Sequence, residues 1–369
     1  MSLQYVPVMA AKRGEFTALV NLPASASSSI LPLFELPAKK AEALVVESTI
    51  NRTATSAGKA WLNREAFLDI SKWVSNARTE SGIHVLEYAF SLFRSKGVLT
   101  HPIVGYDRWA DPDYSQALKN IRNLYSVTPC IRLDREAIKD DLRDLSYFAS
   151  QINAIMTALQ VGPVNCYVMV DFGNVCTTAV PDIIDDTEVA VAALRSLGFS
   201  KIIVVGGSMP TGVNEAVDTQ DAEGCIPRIE MVAWKAVFSA LMDKDVIFGD
   251  YLIRNPEAKD GVIAPHANAK IRYTIKNQFF IVRGHSKKID SLTLQHKDLA
   301  QKLIKSAHYI DPSFSWGDSE ILSCSIGVKE LRDATSMIAI DSNHHIRTVL
   351  MEIFEHQQQV AAYGANVGA

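Results

Sequence analysis

The sequence predicts an α/β fold: a (β/α)8 TIM-type barrel over residues 1–254, with a C-terminal hairpin-plus-helices extension over residues 255–369 packed on the barrel. Three observations predict it. Eight short apolar runs lie a few tens of residues apart in the first two-thirds of the chain. Apolar residues at helical spacing fill the gaps between them. At least six of the runs end in a charge, a glycine or both. Charge is costly inside a buried sheet, so those ends are expected to meet at one polar mouth.

Residues 6–9 form the first run, which leads to Lys12, and residues 31–34 lead to Glu35. Residues 67–68 lead to Asp69, and residues 103–104 to Gly105 and Asp107. Residues 130–131 lead to Arg132, and residues 166–170 to Asp171. Residues 202–205 run into Gly206, Gly207 and Ser208, and residues 246–248 into Gly249 and Asp250. Between the runs, Ile83, Leu86, Phe90 and Phe93 share a helical face that stops at Gly97. Leu142, Leu145, Phe148, Ile152 and Ile155 do the same before Gly162-Pro163 ends the helix. A helix over 187–197 starts near Asp185 and Asp186 and ends at Gly198, and another covers 229–242. Eight strands leave no repeat over, and no G-x-G-x-x-G follows the first, so closure is favoured over an open doubly wound sheet. Past Tyr251 the pattern changes. Residues 271–275 and 279–282 read as a hairpin turned at Lys276-Asn277. A polar helix over 292–307, an irregular stretch over 312–319 and two further helices follow.

The bulk properties narrow the function classes. The 369 residues are 48% hydrophobic and 21% charged, as in an ordinary globular protein. A net charge of -4 gives no strong nucleic-acid signal and no drive toward an anionic membrane. Five scattered cysteines without a C-x-x-C pair argue against a disulfide framework and a structural zinc. With no apolar run of membrane-spanning length and no leader pattern, a cytoplasmic setting is expected.

Chemistry is expected at the strand ends. Residues two apart on a strand share a face, so Lys12 with Val8, Asp171 with Met169, and Asp250 with Phe248 are expected to point inward. Lys12, Glu35, Asp69, Asp171 and Asp250 are the candidate catalytic set. Carboxylates in that number suit acid–base work of the hydrolase or lyase kind, or a hard cation such as Mg2+. Gly206, Gly207 and Ser208 offer a backbone cradle for an anion after the seventh strand, where barrels often hold phosphate. Glu15, Arg132, Arg228, Glu230 and Tyr251 complete a candidate binding set, and Arg272 and Arg283 bring two forks from a hairpin expected to fold over the bowl. No H-E-x-x-H pair, G-x-S-x-G elbow or G-x-x-x-x-G-K-[ST] loop occurs. His344 and His345 are adjacent, and on a helix would face different ways.

Taken in order, several segments resemble the bacteriophage beta-protein family. They are Tyr5-x-Pro7-Val8, Lys12-Arg13-Gly14-Glu15, Leu31-Pro32-Leu33-Phe34-Glu35, Phe67-Leu68-Asp69 and Val170-Asp171-Phe172. Gly207-Ser208-Met209-Pro210, Arg228-x-Glu230, Phe248-Gly249-Asp250-Tyr251, Arg272-Tyr273, Arg283-Gly284 and Trp316-Gly317-Asp318 continue the series. The resemblance runs from Tyr5 to about His345. It implies a single-family architecture in a phage or mobile, defence-associated setting, and it implies no particular reaction. Two functions follow as expectations: an enzyme acting on an anionic or phosphorylated small molecule or nucleotide, or a non-enzymatic inhibitor, sensor or antitoxin-like component bound to a protein partner encoded nearby.

Overall fold

Whether the sheet closes is decided by what its first strand pairs with. The computed structural model describes residues 3–38, 45–241, 245–258 and 266–367. The described strands are β1 (Tyr5–Ala10), β2 (Leu33–Glu35), β3 (Glu65–Asp69), β4 (Leu99–Gly105), β5 (Cys130–Leu133), β6 (Tyr167–Asn174), β7 (Lys201–Gly207), β8 (Glu223–Pro227), β9 (Val246–Asp250), β10 (Asn268–Ile275) and β11 (Gln278–Ser286). β1 pairs in parallel with β2 on one side and with β9 on the other, through Tyr5 with Phe248 and Pro7 with Asp250. The order β1-β2-β3-β4-β5-β6-β7-β9 is therefore a closed barrel, and all eight apolar runs fall on its staves.

Alternation along the strands sorts the core into two shells. Val6, Val8, Leu33, Phe67, Ile103, Cys130, Met169, Ile203, Val205 and Ile247 fill the interior. The residues that alternate with them, among them Tyr5, Phe34, Leu68, Val168 and Phe248, face the surrounding helices. Tyr251 joins the interior cluster from just beyond β9 and closes it at the C-terminal end.

Several boundaries differ from expectation. The helix Val85–Ser95 buries Leu86, Phe90 and Phe93, but Ile83 precedes it and is 43% exposed. Leu145 opens the helix Leu145–Leu159 at 45% exposure, and Leu142 sits in the preceding 3-10 turn. The helix expected over 187–197 begins earlier, spanning Val180–Ser196, because Pro181 in its first turn is preset for a helical start. Trp316 begins a helix, Trp316–Ser325, inside the stretch expected to be irregular; Ser315 caps it by accepting from the Asp318 N–H.

The hairpin forms as expected, with Ile275 paired to Gln278 across Lys276-Asn277 and Asn277 at φ 59°. A third strand was not foreseen: β8, from the chain between β7 and β9, pairs with β11 to give the order β10-β11-β8. One face of this sheet (Ile271, Tyr273, Phe280, Val282) packs on the helices Leu292–Lys305 and Trp316–Ser325. Phe279 and Ile281 on the other face belong to the barrel's outer shell. The final helix, Ala334–Val367, packs Met337 and Ile340 against the small sheet's core and Ile346, Val349 and Ile353 against the barrel. Each fully buried aliphatic side chain of that kind contributes about 1.5–3 kcal/mol. The helix thereby pins the two layers together.

Candidate functional site

Strand alternation carries Glu35, Asp69, Arg132 and Asp171 above the interior layer of Leu33, Phe67, Cys130 and Met169. There they meet. The Arg132 guanidinium donates to Asp171 (2.8 Å), Glu35 (3.1 Å), Asp69 (2.6 Å) and the Tyr251 hydroxyl (2.7 Å). Arg108 holds the other oxygen of Asp69 at 2.9 Å, and Arg254 holds the other oxygen of Glu35. Asp171 also accepts from Tyr251 and from the Gly173 N–H. Every oxygen of the three carboxylates thus accepts a hydrogen bond. Burial alone would raise the Glu35 pKa, but Arg254, Arg132 and Lys72 outweigh it and hold this carboxyl well below the ordinary range. Magnesium needs such oxygens free, and no group of three or more His, Cys, Asp or Glu residues able to hold a metal occurs among the described residues. The donor set does not fit that ion.

Asp250 is not part of this floor. It shares the outward face of β9 with Val246 and Phe248, both in the outer shell, so the expectation that it points inward is corrected. Its carboxylate accepts from the Tyr5 hydroxyl (2.5 Å), the Leu252 N–H (3.0 Å) and His345 (2.8 Å). The other ring nitrogen of His345 meets the Thr274 hydroxyl at 2.7 Å, and Arg228 donates to Asp250 at 3.5 Å while pairing with Glu352 at 2.7 Å. Burial pushes the His345 ring below its ordinary pKa, against the pull of Asp250. His344 faces elsewhere, as expected, toward Asp318 at 2.9 Å.

The glycines after β7 are also used differently. A Cβ on Gly207 would stand 3.0 Å from Pro256 and 3.2 Å from the Tyr251 ring, so this glycine admits the chain's own crossing segment. Gly206 packs likewise against Glu230. Ser208 is buried, bonded to Glu230 and accepting from the Ile229 N–H. Burial, only partly offset by Arg228 and Ser208, pushes Glu230 up to about 7. Arg283 donates to the carbonyls of Val217 and Asp218 and does not reach the bowl, a second correction. Lys12 is exposed ahead of the helix Arg13–Val20. Glu15, in the first turn of that helix, is buried and pushed up in pKa, with Arg254, Lys12 and Arg272 pulling the other way.

Among the described residues, one open space at the mouth lies to one side of the floor. Residues 251–258 cross above it, tied by Lys72 to the Pro256 carbonyl (2.9 Å) and by Asn255 to the Met209 carbonyl (2.8 Å). Between this segment, the Met209–Thr211 turn and the small sheet is a cavity of about 170 Å³. Arg254, Lys270 and Arg272 line it. Lys270 and Arg272, two apart on β10, share one face, and Ile281 is Arg272's partner across the sheet. Asp341 fixes Arg272 through its backbone N–H (3.2 Å) and its Nε (3.1 Å), and Arg272 donates to the Ile253 carbonyl. Burial pushes Asp341 up to about 6 despite this pair. Lys270 makes no hydrogen bond or ion pair among the described residues. Burial and then Arg272 push its ammonium down to about 8, with Asp341 opposing.

Arg254, Lys270 and Asp341 escaped sequence reasoning. Lys270 carried a usable signal, since it stands one residue before a strand already recognised over 271–275 and alternates with Arg272, and Asp341 lies three and four residues before the two histidines on one helix. Arg254 carried none, for it depends on how the chain turns after β9, where Leu252 takes φ 56°.

A family model described as Beta protein matches residues 5–351. No curated protein matches the sequence. Among solved structures the chain is similar to Yersinia pestis DHPS with a pterine-sulfa conjugate, at 11% identity and a TM-score of 0.38, over 68% of this chain and 88% of that one. So distant a likeness brings nothing to the site.

Proposed function

The chain belongs to the Beta protein family, and from that premise and the geometry of the mouth we propose that it is a binding barrel that takes up a small anion in the cavity lined by Arg254, Lys270 and Arg272. One observation carries the reading: Lys270 enters a partly buried cavity beside two guanidinium groups, with no ion-pair partner of its own among the described residues. A poorly solvated cation without a partner is costly, and an oxyanion supplies the missing one. The location supports it too, since the cavity abuts the turn after the seventh barrel strand, where barrels commonly hold phosphate. In this reading the floor carboxylates are struts, and acid–base catalysis by Glu35, Asp69 or Asp171 has no part.

Thermal unfolding of the full chain in inorganic phosphate or sulfate, at low ionic strength, tests the proposal. A bound anion at 100 times its dissociation constant stabilises by about 2.7 kcal/mol. Saturable stabilisation of the wild type that Lys270→Met abolishes is the expected result. Stabilisation of equal size in both proteins, or in neither, sinks the reading.

A further inference from the structure

The same cavity has a second side that the cations do not explain. Beside Thr211 and Asn255 its lining includes the apolar Met209, Val213, Ile253 and Ile281, the last next to Arg272 on the same sheet face. Three of these are buried at the rim of the protein's own core, while Val213, in the short helix Val213–Ala216, is only half-buried. A bare inorganic ion makes no use of hydrocarbon; this lining offers donors and hydrocarbon together.

Resting on the anion-binding reading above, we propose that the occupant is a compact amphipathic anion: an oxyanion head held by Lys270, Arg254 and Arg272, and an apolar body about one ring in size seated on Met209, Val213 and Ile253. The volume sets the body's size. An apolar cavity of about 150 Å³ accommodates benzene, and this one measures about 170 Å³. A nucleotide does not fit within it, and neither does a sugar phosphate make use of the apolar wall. The geometry also fixes the orientation. Asp341 holds Arg272 by backbone and side chain at once, so its fork is presented rigidly, whereas Lys270 is a mobile point charge that adapts to a phosphate or a carboxylate head. The buried Arg254 Nε donates to nothing among the described residues, which leaves a further donor in the cavity wall.

The test is a calorimetric titration of the full chain with phenyl phosphate, benzoate, inorganic phosphate and benzyl alcohol, on wild type, Lys270→Met and Val213→Thr. Thr keeps the shape of Val and replaces one methyl group with a hydroxyl. The expected result is that phenyl phosphate or benzoate binds wild type at least tenfold more tightly than inorganic phosphate, and that benzyl alcohol binds far more weakly. Lys270→Met should then abolish binding of the anions. Val213→Thr should weaken the aromatic anion several-fold and leave inorganic phosphate unchanged. Which of the two aromatic anions is stronger identifies the head group. Equal affinity for inorganic phosphate and the aromatic anions would overturn the amphipathic occupant while leaving anion binding in place. No binding of any anion to a wild type with an intact melting transition would overturn both.

Discussion

The floor of the barrel mouth and the cavity beside it are both built from charged residues and differ in how fully their charges are matched. On the floor, Glu35, Asp69 and Asp171 meet Arg132, Arg108 and Arg254, and each carboxylate oxygen is held. In the cavity, Arg254, Lys270 and Arg272 face a space with Lys270 unpaired among the described residues. Charge matched within the chain fixes backbone; charge left unmatched at a cavity wall implies something that arrives from outside. Arg254 belongs to both regions, bonding Glu35 and lying over Tyr251 at 5.3 Å to the ring centroid while lining the cavity, so it joins the cavity wall to the floor.

The largest effect should come from the floor. Arg132→Met removes the one group shared by three buried carboxylates, and stranding buried charge in this way costs about 3–5 kcal/mol. Urea unfolding at neutral pH measures it; a loss below about 1 kcal/mol would mean that the floor is not the strut described. The acid limb gives a second measure. Because the Glu35 pKa is depressed in the folded protein, its contribution is complete above the unfolded value near 4.5 and is lost as pH falls through the folded one. His345 acts in a separate window. Its folded pKa lies below that of the unfolded chain, so its own contribution to stability begins to fall as pH drops below about 6.5, where the unfolded chain takes up a proton that the buried ring refuses. Glu230 and Asp341, pushed up to about 7 and about 6, act with the opposite sign there, so the readout is the difference between variant and wild type. His345→Gln should gain stability relative to wild type as pH falls from about 6.5 to 5 and keep the loss below pH 4.5. A difference that does not change with pH would place the histidine outside the transition.

Gly207→Ala should have a smaller effect, about 1–3 kcal/mol, since the new methyl group would press on Pro256 and Tyr251 at 3.0 and 3.2 Å. It separates the two uses of this glycine. If it makes room for residues 251–256, alanine lowers stability with or without anion; if its backbone cradles the anion, alanine lowers only affinity.

How much was legible in the sequence follows from the range of the interactions concerned. Strand ends are local, so Glu35, Asp69, Arg132 and Asp171 stood out; parity turned Asp171 inward from the sequence, and the structure places the other three on the same interior side. Asp250 shows where that rule stops. Parity grouped it correctly with Val246 and Phe248, but only the packed structure reveals that those two face the helices rather than the barrel axis. β8 stayed hidden because its five residues, Glu223–Pro227, alternate between exposed and half-buried positions and lack an apolar face of their own; β11 recruits them. The cavity was the least legible, being assembled from β10, β11, the turn after β7 and the segment after β9, with no two of its cations on one short motif except Lys270 and Arg272.

The smallest effect is the one that best separates the two regions. Lys270 makes no hydrogen bond or ion pair among the described residues, so Lys270→Met breaks none, and in anion-free buffer at pH 7 it should leave stability unchanged or raise it by up to about 1 kcal/mol. The sign follows from the lowered pKa. Between about pH 8 and the unfolded value near 10.4 the unfolded chain keeps a proton that the folded one has released, so wild-type stability rises with pH across that window, and the methionine variant lacks the rise. An anion should reverse the ranking, since only the wild type has a charge for it to neutralise. Unfolding curves of both proteins at pH 7 and pH 9.5, with and without phosphate, therefore read the cavity directly. If Lys270→Met instead destabilises the anion-free protein by as much as Arg132→Met, the cavity wall is a strut like the floor, and the contrast between the two regions collapses.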